Sequence, residues 1–306
     1  MPSLLTRRSF LSAAAALPLA SALPSVAHSV PLNAPFAVGG FTVMPLLDGP
    51  FGLTAALMPQ ADSVEGEKLV ERVGLPAKGP WPQPVNTFVV QRGERIFMID
   101  AGGGTVLGPD LGKMPERLAA VGVDPAKVEA VLMTHLHADH AGGLMTPEGK
   151  AFFPNAEIIV QQAEVAFWTD DGARSRAPAG TDAMFAIARA ALAAYPGKVR
   201  TVAGAITAAP GLTFVPLPGH TPGHAGLMLA DGNEQFLFFA DVIHSALLQF
   251  PHPAWTVLFD VDQAQAAATR RGILDRLAAD KIPVTGAHIP DRGRIEVRNM
   301  GYALVA

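Results

Sequence analysis

The sequence contains no cysteine. Disulfides, thiolate metal sites and cysteine nucleophiles are therefore excluded outright, and any metal must be held by imidazole and carboxylate. Charge is scarce as well. Charged side chains make up 16% of the 306 residues, 23 basic against 27 acidic, for a net charge of −4. A chain with no basic excess is poorly suited to a phosphate backbone, so no nucleic-acid partner is expected. No apolar run is long enough to span a bilayer. The stretch Leu11–Leu23 is too short and is broken by Pro18, so no stable membrane insertion is expected. There is also no Gly-x-Ser-x-Gly elbow to carry a serine nucleophile.

What is present is 49% hydrophobic residues with 30 Gly and 27 Pro. That composition supports a well-buried core with many turns and few long helices. Thr6-Arg7-Arg8-Ser9-Phe10-Leu11 precedes the Ala/Leu-rich stretch, and Ser25-Val26-Ala27 follows it. Residues 1–27 read as a twin-arginine export signal, which predicts a periplasmic or secreted protein. The remaining chain, 28–306, reads as a single domain with 21 basic and 27 acidic residues.

After a loose segment to about Gly40, β-branched and aromatic runs predict strands over Phe41–Leu47, Thr87–Val90 and Arg95–Ile99, the last two joined by a turn at residues 91–94. Val128–Met133 and Glu157–Gln161 read as further strands. Asp110–Val121 reads as a helix stopped by Gly122, and Thr181 as the cap of a helix over Asp182–Ala194. Residues 170–180 read as an exposed loop. Leu212–Leu217, Ala225–Leu229 and Phe236–Ala240 then read as strands, Asp262 as the start of a helix to about Asp280, and Ile282–Thr285 as the last strand. Each half runs from strands to helix. Two sheets packed face to face with helices outside fit this order better than one wound sheet.

Chemistry concentrates in Thr134-His135-Leu136-His137-Ala138-Asp139-His140, which follows an apolar strand and opens into Ala141-Gly142-Gly143. On extended chain His135 and His137 point the same way, and Asp139 and His140 come one turn later. Such a segment can offer two pairs of ligands to two adjacent metals. His220, Asp241 and His288 each follow a predicted strand. With the first cluster they complete seven ligands, which two metals with open positions require. Nitrogen and oxygen donors suit zinc, with Mn²⁺ or Fe²⁺ as alternatives. Two divalent cations against two carboxylates leave charge for a bridging hydroxide, whose pKa they would bring towards ~7. Asp139 or Asp241 could also carry a proton.

The His-x-His-x-Asp-His motif, with His220, Asp241 and His288 behind it, resembles the metallo-β-lactamase superfamily from Asp100 to His288. The resemblance implies an α+β four-layer αββα sandwich. It implies one metal on His135, His137 and His220, a second on Asp139, His140 and His288, and Asp241 as the bridge. Asp100, in Ile99-Asp100-Ala101-Gly102, would orient a ligand histidine. His224 and His244 lie near these residues in sequence; contact with the site and plain core packing are both open. His252 reads as structural.

Within the superfamily, β-lactamases usually carry Cys or Ser where Asp241 stands, and RNA-processing members need a basic surface. Acyl-homoserine lactonases often carry Tyr just after the bridging Asp, where this chain has Ile243-His244. The runs 241–262 and 107–112 resemble the methyl parathion hydrolase branch. That resemblance implies a hydrolase of organophosphate triesters, lactones or aryl esters, with a small apolar or aromatic substrate and a homodimeric assembly. Trp168 and Phe185 are candidates to line its pocket, with core packing as the alternative. Leu107 falls where an aromatic would clasp an aryl leaving group. An acyl-homoserine lactonase, or a redox or non-catalytic iron protein on the same fold, are the competing functions.

Overall fold

The computed structural model describes residues 29–178, 180–299 and 301–306. The expected export signal and His28 lie outside the described residues. No described helix is long and apolar enough to cross a membrane.

Alternation along the strands builds the layers. Phe88, Phe97, Ile99, Leu132 and Ile159 pack together with Phe214, Leu227 and Phe238, between two sheets. Their neighbours Val89, Ile96, Met98, Val131 and Ile158 point the other way, against Met114, Leu118 and Phe185 on helices and Tyr195 just after one. Side chains of period two that are apolar on both faces are what a sheet covered on both sides requires. On the far side Leu237 and Val284 pack under Ile273, Leu274 and Leu277 of helix Gln263–Asp280. The result is helix, sheet, sheet, helix, the four-layer αββα sandwich.

The larger sheet has seven strands in the order Phe36–Val38, Phe41–Leu53, Trp81–Arg92, Arg95–Ile99, Ala130–Leu132, Glu157–Gln161, Val199–Val202. Its first four strands form antiparallel pairs, and from Arg95–Ile99 onward the pairing is parallel. The smaller sheet orders Val284–Thr285, Glu234–Phe238, Ala225–Asp231, Leu212–Pro216 and Thr207–Ala209.

Several expectations need correction. The segment before Gly40 is not loose: Val30–Pro31 pairs with Asp291–Arg292, and Phe36–Val38 is a sheet edge. The first two long strands run well past their apolar cores as a two-stranded ribbon that includes Pro50 opposite Pro84. Neither strand has a further neighbour there, and proline is tolerated on such edges. An unexpected helix, Val64–Arg72, comes first, and the helix expected from Asp110 begins only at Met114, because Gly112 sits at φ 84° and the buried Asp48 carboxylate accepts the Met114 N–H at 2.7 Å. Residues 170–180 contain a helix, Asp171–Arg176, capped by Asp170, whose side chain accepts from Gly172 N. Thr181 does stand at the N-cap of the next helix, but its side chain makes no capping bond and its hydroxyl donates to Pro178 O. Asp262 does cap its helix, accepting from Gln265 N at 2.9 Å. Val284–Thr285 is not the last strand, since a hairpin of Arg294–Arg298 and Gly301–Val305 follows. Ile295 and Tyr302 of that hairpin pack against the long helix.

Candidate metal centre

The parallel strands Arg95–Ile99 and Ala130–Leu132 end at one edge of the large sheet, and Glu234–Phe238 and Val284–Thr285 run parallel in the small one. Asp100, the His135–His140 segment, Asp241 and His288 each lie just beyond one of these ends. His137 is extended at φ −62° and ψ 155° and caps the short helix Ala138–Ala141. His135 and His137 thus precede the helix, while Asp139 and His140 sit on its first turn. The glycines after the motif have a packing reason. A Cβ on Gly143 would lie 1.9 Å from Ala101 O, so only glycine lets this turn press against the loop after Asp100.

All seven proposed ligands converge. Ligand atoms of His135, His137, His220 and Asp241 lie within 4.8 Å of one another, as do those of Asp139, His140 and His288. Asp241 touches both groups. Its Oδ1 is 3.2 Å from His140 Nε2, and its Oδ2 is 3.3 Å from His220 Nε2 and 3.0 Å from His288 Nε2. All of them are buried except Asp139, whose side chain is 19% exposed.

The other nitrogen of most of these rings is held. His140 Nδ1 donates to Asp100 Oδ2 at 2.9 Å, His288 Nδ1 to Pro84 O at 2.9 Å and His220 Nδ1 to Asp260 Oδ1 at 2.8 Å. Asp100, at φ 57°, also accepts from the Thr134 N–H and hydroxyl, and that hydroxyl accepts from His135 Nδ1. A fixed Nδ1–H leaves the Nε2 lone pair facing inward, as a metal ligand needs. His140 Nε2 and Asp241 Oδ1 are buried with no hydrogen-bond partner among the described residues. Buried polar atoms are rarely left so, and divalent cations between the two groups would satisfy both.

Electrostatics agree with that reading. Burial disfavours charge on His135 and His137, and neighbouring imidazoles add to it, so both stay neutral well below the usual histidine range. Burial opposes charge on His140 too, but Asp241, Asp139 and Asp100 outweigh it and hold its pKa high. Against the same burial, Asp241 and Asp260 push His220 up to about 9. Burial would raise the Asp241 pKa, yet His140, His288 and His135 hold it well below the carboxylate range. Without cations, protons would have to compensate these two carboxylates.

His224 is committed on both nitrogens: Nδ1 donates to Leu217 O at 2.8 Å, and Nε2 accepts the Asp241 N–H at 3.1 Å. It orients Asp241 from behind. His244 is fully buried, stacked on His288 at 20° with its Nε2 3.2 Å from Asp241 Oδ2, and neither of its nitrogens has a partner. His252 stacks on Trp255, away from the centre.

Two cavities open over the centre. One, of about 400 Å³, is lined by Phe51, Leu107, Asp139, Met184, Phe259 and His288. The other, of about 530 Å³, is lined by His137, Phe167, Trp168, Met184, Phe185 and Phe259. Leu107, 45% exposed, stands at the first, while Trp168 and Phe185 face the second and also pack into the core behind it. Sequence reasoning missed Phe259, which contacts the His137, His220 and His244 rings and borders both cavities. It also missed Asp260 and Glu164, buried carboxylates with no ligand spacing to reveal them.

The family profile described as the Metallo-beta-lactamase superfamily matches residues 80–286. Among curated proteins, ribonuclease Z of Mycobacterium avium is 34% identical over 79 residues, 25% of each chain. An N-acyl homoserine lactonase of a Bacillus species is 28% identical over 165 residues, 48% of this chain and 58% of that one. The chain thus spans between a quarter and somewhat over half the length of these relatives. Among solved structures, AidC, a dizinc quorum-quenching lactonase, superposes at a TM-score of 0.80 with 24% identity, covering 92% of this chain and 97% of its own. The hydrolase AbOPH superposes at 0.80 with 25% identity, covering 92% and 98%.

Proposed function

The chain belongs to the metallo-β-lactamase superfamily, and on that footing we propose that it is a hydrolase holding two divalent metal ions, zinc first among them, and acting on a small apolar ester, lactone or phosphotriester. The observation that carries this reading is Asp241, one carboxylate in contact with two groups of inward-facing imidazoles. His135, His137 and His220 would hold one cation, Asp139, His140 and His288 the other, with Asp241 between them. Cations bound there would acidify a water towards neutral pH and polarise the carbonyl or phosphoryl oxygen of the substrate.

The protein's own part is placement. Asp100, Asp260, Thr134 and Pro84 O fix the rings, so little reorganisation is needed during reaction. Asp139, the one ligand with appreciable exposure, faces the 400 Å³ cavity and is placed to take a proton and return it to the leaving oxygen. Phe51, Phe259, Trp168 and Phe185 offer apolar walls to a substrate of one or two small apolar arms. The runs at 107–112 and 241–262 favour the methyl parathion hydrolase branch, with organophosphate, aryl-ester or lactone substrates, and Leu107 in place of an aromatic counts against efficient organophosphate hydrolysis. A second reading, acyl-homoserine lactonase, is favoured by the lactonase relative matching 165 residues. We propose in addition that residues 1–27 direct export, that 28–306 form one domain working in the periplasm or outside the cell, and that the protein is a homodimer.

The test is a panel of lactones, aryl esters and phosphotriesters assayed on the purified mature chain with measured metal content. About two equivalents of metal per chain and loss of hydrolysis on chelation are expected. Asp241→Asn should lower kcat/KM by ~100-fold or more and reduce bound metal. Full hydrolysis by metal-free protein would refute the reading, and bound iron with oxygen-dependent turnover and no hydrolysis would favour a redox protein instead.

A further inference from the structure

Glu164 lies on helix Gln162–Thr169 and is fully buried, yet it forms no ion pair with any described Lys, Arg or His. It accepts four hydrogen bonds. Oε1 takes the Leu136 N–H at 3.0 Å and the Trp168 indole N–H at 2.6 Å. Oε2 takes the Thr221 hydroxyl at 2.7 Å and the Gly223 N–H at 3.0 Å. Three N–H groups and a hydroxyl converging on two oxygens suit a carboxylate, which accepts from all four; a proton on Oε1 would face two N–H donors and one on Oε2 the Gly223 N–H.

The position of these donors is informative. Leu136 stands between His135 and His137, and Thr221 and Gly223 follow His220. One side chain thus ties together the two loops that carry three imidazoles of one ligand group. The approach is close: a Cβ on Gly223 would lie 2.2 Å from Glu164 N. The other ligand group is fastened elsewhere, His140 by Asp100 and His288 by Pro84 O. The fourth donor, Trp168, meets the His137 ring edge-on with centroids 5.3 Å apart and lines the larger cavity.

We propose that Glu164 is a positioning residue that sets one metal site, the one formed by His135, His137 and His220, and through the Trp168 indole also sets the wall of the substrate cavity. This rests on the two-metal reading above. One buried carboxylate would then couple metal geometry to pocket shape.

The test uses Glu164→Gln in the full mature chain, which keeps the shape and turns an amide N–H₂ towards one pair of donors. Metal release is read by competition with a chromophoric chelator, and site identity by the absorption spectrum of the cobalt-loaded protein. One of the two metal equivalents should loosen by ~10–100-fold while the other is unchanged. Asp260→Asn, acting on His220, should loosen the same equivalent, whereas Asp100→Asn, which touches His140 directly and His135 through the Thr134 hydroxyl, should loosen both. Trp168→Phe keeps both loop bonds; it should leave both metals tight and raise KM for apolar esters. If Glu164→Gln fails to fold, Thr221→Val removes one of the four bonds and should loosen the same equivalent by a smaller factor. Two metals held as tightly as in the parent by the variant that folds, or both loosened equally, would overturn the role of Glu164 alone. A parent protein that binds no pair of metals would overturn the two-metal reading and this proposal with it.

Discussion

At the scale of the residue, the converging His and Asp cluster was legible, and so was Asp100 beside it, but the other supports were not. Four chemically distinctive residues within six positions, with three more after strand ends, form a pattern that core packing does not produce. Asp260 and Glu164 do equally specific work, but each is a carboxylate whose partners are defined only after folding, His220 from 40 positions away and Thr221 from 57. Asp260→Asn is expected to weaken metal binding and slow turnover by ~10-fold or more with little change in overall fold, measured by metal titration and steady-state kinetics. His224 gives a second prediction. Burial and the neighbouring His220 lower its pKa to about 3, and its Nε2 already accepts a backbone N–H. The unfolded chain would take up that proton near pH 6.5 while the folded one does not. Between those values the unfolded state binds more protons, so this residue's contribution is present above pH 6.5 and is lost as pH falls towards 3. Nitrogen NMR should find His224 neutral, with the proton on Nδ1, down to at least pH 4.5; protonation near pH 6.5 would contradict the assignment.

At the scale of the element, strands were found by their apolar centres and missed at their ends. The run of β-branched and aromatic residues identified Arg95–Ile99 and Glu157–Gln161 to the residue. It could not reveal that Pro50, Pro82 and Pro84 lie inside strands, because proline carries the sequence signature of a boundary. The two expected helix caps behave differently, and that difference is measurable. Asp262 accepts the N–H of Gln265, so Asp262→Ala should cost about 1 kcal/mol in denaturant unfolding. The Thr181 hydroxyl turns back to Pro178 O, so Thr181→Ala should stay within about 0.5 kcal/mol of the parent. Equal losses would show that the cap geometry described here is wrong. The helix at Asp171–Arg176 was hidden by its own composition, Asp-Gly-Ala-Arg-Ser-Arg, which has no apolar stripe and depends on the Asp170 cap.

At the scale of the whole molecule, the layering followed from strands that are apolar on both faces, and the sandwich was readable to that extent. The cluster of Leu53, Met58, Trp81, Leu248 and Trp255 was not, since it joins segments some 200 positions apart with no shared period. If the export reading is right, replacing Arg7 and Arg8 with Lys should leave the full-length precursor in the cytoplasm, as followed by immunoblotting of cell fractions. Normal export of that variant would remove the twin-arginine assignment.

The ligand groups come from both sheets: His135, His137, Asp139 and His140 follow a strand of the larger one, and Asp241 and His288 follow strands of the smaller. Cations lodged between them would act as rivets through two plates, clamping the seam at one margin. Stripping them out should unzip that margin first, so amide exchange would quicken around 134–141 and 286–288 while Val43, Phe88 and Phe97, deep in the laminate, stay protected.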